Sequence, residues 1–245
     1  RSIGVIAGAL FVAGLLWIGG ALLFASLAEA PGATEGGGNP LAVAVAQFGL
    51  LRDDPQLARF VTIRCLLLAT TLAPPFLVAM EARSTGAQAV GLGAFVIASA
   101  LAAIASSYVW GRLSDVSSRR VIVFAGLIGT VALLASAAVG AGLGSPIGLD
   151  VASPLALPAL VFALAIAEQG VRLGRTTHVV DMAGQSRRAA YTALSNTITG
   201  VLTLGAGVFG LLAQAVGEIA VLLACAAMAA LAVWLARELE EVQQG

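Results

Sequence analysis

The sequence predicts an all-α integral membrane protein with about seven transmembrane helices, six of which form one bundle. Hydrophobic residues make up 59% of the 245 residues, whereas charged residues make up only 11%. The chain also contains seven separate apolar stretches, each about as long as a helix needs to be to cross the hydrocarbon core of a bilayer. A soluble domain cannot bury so large an apolar fraction, so we expect most of the surface to face lipid.

The seven apolar stretches define the organisation of the chain. They are residues 3–28, 60–80, 90–110, 121–143, 154–173, 189–213 and 219–235. Segment 29–59 is rich in glycine and proline and is predicted to be a linker, because its apolar middle, 41–51, is too short to span and fits a short interfacial helix. The other connections are much shorter.

The arginines predict the orientation of the chain in the membrane. All 13 basic residues are arginines, and eleven of them fall on one side when alternate connections are counted. They are Arg52, Arg59, Arg64, Arg112, Arg119, Arg120, Arg172, Arg175, Arg187, Arg188 and Arg237. Only Arg1 and Arg83 fall on the other side. The positive-inside rule then predicts a cytoplasmic C-terminus, in a bacterial inner (plasma) membrane.

The composition also argues against several function classes. Retinal and pyridoxal Schiff bases and Walker-type phosphate loops all require a lysine, and the sequence contains none. The 13 basic and 13 acidic residues balance, which leaves no electrostatic footprint for nucleic acid. Because the spans carry no paired metal ligands and no nucleophile beside a base, we expect no cofactor and no enzymatic activity.

The connection after the third span carries the most specific motif of the chain. It contains Gly111, Arg112, Asp115 and the basic pair Arg119 and Arg120. A glycine lets a helix end pack closely, and a carboxylate can cap the N-terminus of a neighbouring helix. Arginines would hold such a connection at the membrane interface. We call this connection the motif loop.

This motif loop resembles the loop signature of major facilitator superfamily (MFS) transporters. Val116 and Ser118 stand where the family usually has a basic residue and a glycine, as in the degenerate second copy of the signature in the C-terminal half. The resemblance implies that 1–28 is the last helix of the N-terminal half and that 29–59 is the cytoplasmic linker between the halves. It further implies that 60–236 is the C-terminal six-helix bundle and 237–245 a cytoplasmic tail.

The resemblance also implies a function. MFS proteins are secondary transporters that move a small solute by alternating access between two halves. We therefore expect a proton-coupled permease, seen here as a fragment that begins at Arg1 and lacks the N-terminal helices with which it would work. The motif loop would control conformation. A non-transporting membrane scaffold or sensor with the same fold remains the alternative; a seven-span receptor would explain neither the linker nor the loop.

Charged residues inside the spans are functional candidates, because they are costly in lipid. Glu168 has Arg172 four residues later on the same helix face, which favours an ion pair. These two residues either bind a proton or a cationic solute or anchor the helix among headgroups. Arg64 lies about one turn inside the second span and either faces the pathway or snorkels to the headgroups. Because the spans contain so few charged residues, we expect the transported solute to be fairly apolar or neutral.

Two further features complete the candidate residues. The polar stretch 175–196, with Tyr191 and Asn196 near its end, is either a cytoplasmic gate leading into a cavity-facing helix or an ordinary charged loop. Pro74 and Pro75 fall inside the second span, where the lost amide donors and the ring clash predict a kink that could serve as a hinge.

Overall fold

The computed structural model describes residues 2–25, 48–85, 89–144, 151, 153 and 155–242. Within these residues all regular structure is α-helical, which confirms the predicted all-α membrane fold. The helices are α1 (Ser2–Ala25), α2 (Leu50–Asp53), α3 (Pro55–Leu66), α4 (Leu68–Leu72), α5 (Pro74–Thr85), α6 (Ala89–Val116), α7 (Ser118–Gly140), α8 (Ala156–Met182), α9 (Gly184–Leu204), α10 (Gly207–Val216) and α11 (Glu218–Ala236).

The chain divides into two compact units, Arg1–Ala42 and Val43–Gly245. The described part of the first unit is α1, an uncharged apolar helix that coincides with the first predicted span. Nearly all of its side chains from Phe11 to Leu23 are exposed. The interfacial helix expected over 41–51 falls mainly outside the described residues, which resume at Phe48.

The second unit is a bundle with six helical segments that are long and apolar enough to cross a membrane. Within the described residues they are Pro55–Arg83, Gly93–Val116, Ser118–Gly140, Ala156–Met182, Arg187–Val216 and Glu218–Ala236. They correspond one by one to the last six predicted spans. Helices satisfy their backbone hydrogen bonds internally, as the hydrocarbon core of a membrane requires.

The first span of the bundle begins earlier than predicted. Asp54 caps α3, since its Oδ1 accepts hydrogen bonds from the backbone N–H groups of Gln56 at 2.9 Å and Leu57 at 3.1 Å. Pro55 occupies the first helical position, where a missing amide donor costs nothing. The end of the predicted linker is therefore the start of a helix.

The fifth predicted span, 154–173, ends too early. Helix α8 continues to Met182, and only Ala183 separates it from α9. The extra turns are helical because Gly174 and His178 continue the buried face begun by Gly170, at a spacing of four residues. The ordinary charged loop that was one alternative for 175–196 is therefore helix up to Met182 and again from Gly184, and the gate alternative stays a prediction.

Two spans are interrupted. The span Pro55–Arg83 breaks at Leu67 and again at Ala73, immediately before Pro74 opens α5. The helix is thus interrupted directly before Pro74 and Pro75, where a kink was expected, and the kink and any motion about it stay predictions. The span Arg187–Val216 breaks at Gly205 and Ala206, between α9 and α10.

Close packing between α7 and α8 organises the bundle. A Cβ atom on Gly170 would lie 2.7 Å from the Cβ of Ala125 and 2.8 Å from Cε2 of Trp110. A Cβ atom on Gly174 would lie 2.9 Å from Cγ1 of Ile122. Trp110 also donates a hydrogen bond from Nε1 to the backbone oxygen of Ile166 at 3.0 Å, which ties α6 to the same helix. Glycine is required at both positions by these contacts.

We predict that Gly170→Ala lowers the thermal unfolding midpoint of the purified protein. Overpacking costs about 1–3 kcal/mol, more than the roughly 1 kcal/mol gained when alanine replaces glycine in a helix. The control is Gly200→Ala in α9, where an added Cβ would meet nothing within 4 Å. The control should hold or raise the midpoint; a Gly170→Ala protein as stable as the control contradicts the packing described.

Candidate functional site

The polar groups inside the bundle centre on Arg64 of α3. Its side chain is buried, with 8% of the residue exposed. Its Nη1 donates to Oγ of Ser195 at 2.6 Å, and its Nη2 donates to Oδ1 of Asn196 at 2.7 Å. The buried Nε has no hydrogen-bond partner among the described residues. We call Arg64, Ser195 and Asn196 the Arg64 site.

The Arg64 site contains a buried cation bound only by neutral groups. No carboxylate of the described residues lies within salt-bridge distance of Arg64. Arg175 of α8 instead acts on Arg64 with a second positive charge. Removing a cation from water costs several kcal/mol unless an opposite charge compensates it. The guanidinium is buried against Ser195 and Asn196 and does not extend to the surface, and a place for Arg64 on a transport pathway stays a prediction.

Glu168 does not pair with Arg172. The Arg172 guanidinium donates to Oε1 of Gln169, and no salt bridge joins Glu168 to Arg172 in the described part of the chain. The charge of Glu168 acts instead on Arg175, two helical turns further along. Because α8 runs to Met182, Glu168 lies about four turns from the helix end and not at its edge. Both alternatives for Glu168, solute or proton binding and anchoring, stay predictions, without the ion pair to Arg172 on which they were based.

Tyr191 connects α9 to the start of α3. Its ring is buried, and its hydroxyl donates to Oδ2 of Asp54 at 2.8 Å. Arg187 also hydrogen-bonds to Tyr191. Tyr191 lies one turn before Ser195 on the buried face of α9. The same helix face therefore carries both the Tyr191–Asp54 hydrogen bond and the Arg64 site.

The motif loop is tighter than predicted, and a different residue caps it. Helix α6 continues to Val116, and Ser117 alone connects it to α7. Oγ of Ser117 accepts from the backbone N–H of Arg120 at 3.1 Å, so this serine, not Asp115, is the cap. Asp115 is exposed and contacts no polar group of the described residues. No described neighbouring helix packs closely on Gly111, because an added Cβ there would meet nothing within 4 Å.

The arginines of the motif loop have different surroundings. Arg112 lies over the ring of Tyr108, 5.5 Å from its centroid, and donates to the Tyr108 hydroxyl at 3.0 Å. Nε of Arg119 lies 3.3 Å from Oε2 of Glu241. Ser117 donates to the same Glu241 oxygen at 2.8 Å. Arg120 is exposed.

The acidic tail after α11 binds this end of the bundle, which sequence reasoning missed. Nη2 of Arg59 lies 3.2 Å from Oε2 of Glu238, and its Nη1 donates to the Glu238 backbone oxygen at 2.9 Å. Gln56 donates from Nε2 to Oε1 of Glu240 at 3.2 Å. Leu239 between them is buried. The sequence did contain a signal for this contact: the glutamates of the tail are clustered directly after the last span, on the side where most of the arginines lie.

His178 is a structural residue at the junction of three helices. Its ring stacks on Phe60 with centroids 5.3 Å apart, and its Nδ1 lies 3.0 Å from Oγ of Ser118. At the opposite end of the bundle, Arg83 forms a two-point ion pair with Glu218, with N–O distances of 2.7 and 2.9 Å. The His178 contacts set the relative positions of α3, α7 and α8 around the Arg64 site, and the Arg83 ion pair joins α5 to α11.

Comparison of the chain with protein-family models, curated proteins and solved structures finds no match. The resemblance of the motif loop to MFS transporters therefore stays a prediction.

We predict that the stability effect of Ser195 depends on the charge of Arg64. Ser195→Ala removes an acceptor from a buried guanidinium and should cost about 1–3 kcal/mol of unfolding free energy. In an Arg64→Met background, which keeps an unbranched chain without the charge, the same change should cost little. Both are measured by denaturant unfolding in detergent.

The control for this cycle is Thr203→Ala on the same helix. The hydroxyls of Ser195 and Thr203 each donate to a backbone oxygen about one turn earlier. Its effect should be small and equal in both backgrounds. Equal losses for Ser195→Ala with and without the arginine would show that the two side chains are not coupled.

Proposed function

We propose that this bundle belongs to a secondary active transporter of the MFS type, which moves a small solute by alternating access. The observation that supports it is the buried Arg64, held by Ser195 and Asn196 inside two membrane spans. A cation in this position costs stability, and such groups in membrane proteins mark solute or ion pathways. Scaffolding alone requires no such group.

The surroundings of the Arg64 site suggest where the solute binds. Asn196 is exposed, and the span Arg187–Val216 leaves nearly all of its apolar surface uncovered in this chain. The Arg64 site therefore adjoins an open face of the bundle. In the proposed transporter a second half covers this face, and the solute lies between the two halves.

The charge at the site suggests the chemistry of the solute. Arg64 has neutral partners, and Arg175 adds a second positive charge. A solute with a negative charge or strong hydrogen-bond acceptors would complete the site. We therefore propose an anionic solute, where the low number of charges in the sequence favoured an apolar or neutral one.

Glu168 offers a route to proton coupling. Its negative charge acts on Arg175, which in turn acts on Arg64. Protonation of Glu168 would remove that negative charge and make the potential near Arg64 more positive. An anionic solute would then bind more tightly, and by linkage its binding would favour proton uptake. This sign corresponds to transport of proton and anion in the same direction.

We predict that Arg64→Gln lowers solute exchange by about tenfold or more, because a charged hydrogen bond to the solute is lost. The assay is counterflow in proteoliposomes of the full-length protein, with a panel of anionic, neutral and cationic solutes. Arg52→Gln, at an exposed arginine of the same end, is the matched control and should exchange normally.

Exchange of an anionic solute that needs Arg64 supports the proposal. If folded wild-type protein moves no solute of the panel, the result contradicts the proposal and supports a scaffold or sensor function instead. Full exchange by Arg64→Gln would show that the buried arginine does not contact the solute.

We predict that Glu168→Gln removes the stimulation of uptake by an imposed proton gradient but preserves counterflow. Glutamine keeps the shape of the side chain and cannot titrate. Asp53→Asn, at an exposed carboxylate, is the control and should respond to the gradient as wild type does. A Glu168→Gln protein with an intact gradient response would exclude this residue from coupling.

A further inference from the structure

A cleft of about 350 Å³ lies at the end of the bundle where α6 ends, α7 begins and α11 ends. It is lined by Leu113, Arg119, Arg120, Val123, Phe124 and Arg237. Three of its six lining residues are arginines and the other three are apolar. The solute site proposed above does not include this cleft, and conformational control by the motif loop does not explain its apolar wall.

Two of the three arginines have side chains without a partner among the described residues. Arg119 is occupied by Glu241 and by the backbone oxygen of Leu239, to which it donates at 3.1 Å. The side chains of Arg120 and Arg237 are exposed and make no ion pair or hydrogen bond with the residues that the structure describes. Like charges that line one cleft repel each other, so an anion between them would be stabilised.

The charged and apolar groups of the cleft are separated by depth. Val123 and Phe124 each lie one helical turn further into the span than Arg119 and Arg120, on the same faces of α7. Phe124 is 48% exposed. The cleft thus presents cations at the membrane boundary and an apolar wall toward the hydrocarbon core.

The position of the cleft matches the headgroup region. Trp234 on α11, one turn before Arg237, is 57% exposed. Exposed tryptophans are concentrated where spans meet the lipid headgroups. A ligand in the cleft would therefore meet lipid headgroups and acyl chains at the same time.

We infer that this cleft binds one anionic phospholipid, with its phosphate between Arg120 and Arg237 and an acyl chain along Phe124. A soluble anion would leave the apolar wall unused. A zwitterionic lipid would bring a cationic headgroup amine to two uncompensated arginines. Basic pockets at the ends of membrane helices are suited to anionic headgroups for these reasons.

The test is native mass spectrometry of the purified protein from mixed micelles of phosphatidylglycerol and phosphatidylcholine. Wild type should retain phosphatidylglycerol selectively, and Arg120→Gln with Arg237→Gln should lower that retention roughly tenfold. The control, Arg52→Gln with Arg188→Gln, removes the same charge from exposed arginines elsewhere and should retain lipid as wild type does.

Three outcomes would overturn the inference. Equal loss in the two double variants would show that bulk charge alone attracts the lipid. Equal retention of both lipids by wild type would remove the selectivity. Displacement of phosphatidylglycerol by soluble glycerol phosphate would identify a site for a soluble anion.

A single variant tests the apolar half of the cleft. Phe124→Ser leaves every charge in place, and Phe124 belongs to neither of the hydrophobic core clusters. We expect weaker retention of phosphatidylglycerol, with an unchanged unfolding midpoint in phosphatidylcholine. Retention equal to wild type would show that the acyl chain does not lie on Phe124.

Discussion

The approach of α7 to α8 without intervening side chains is the constraint on which the bundle depends. Lipid is as apolar as leucine, so membrane helices gain little from hydrophobic burial and associate through close packing. Gly170 and Gly174 provide this contact, and Trp110 fills the space beside Gly170. The same ridge continues to His178, which meets Phe60 and therefore fixes α8 against α3. The charges of α8 are thereby placed relative to Arg64.

The attachment of α9 is of a different kind. Its span is almost uncovered, and polar contacts join it to α3: Tyr191 to Asp54, and Ser195 and Asn196 to Arg64. Because so little of its span is buried, α9 can be released by a competing ligand more readily than a helix held by interlocked glycines. In the proposed transporter, a solute that binds Arg64 would compete for the groups that hold α9 in place.

The sequence was sufficient for some features and not for others. Apolar length alone predicted the six spans of the bundle, because crossing a bilayer sets a minimum length. The cap at Asp54 and the extension of α8 through His178 are local patterns that the sequence contains. Neighbouring charged residues made both segments look like loops. The partners of Arg64 lie 131 and 132 residues away, and no spacing rule connects positions so distant. Contacts between spans require the three-dimensional packing.

The ion pairs at opposite ends of the bundle have a mechanical consequence. Arg83 binds Glu218 at the start of α11, and Arg59 binds Glu238 just beyond its end. The span Pro55–Arg83 is thus bound near both of its ends to the same neighbouring helix. These two contacts disfavour tilting of the span as a whole relative to bending within it. Its two interruptions, at Leu67 and Ala73, lie between the two ion pairs, so bending of the span would occur there.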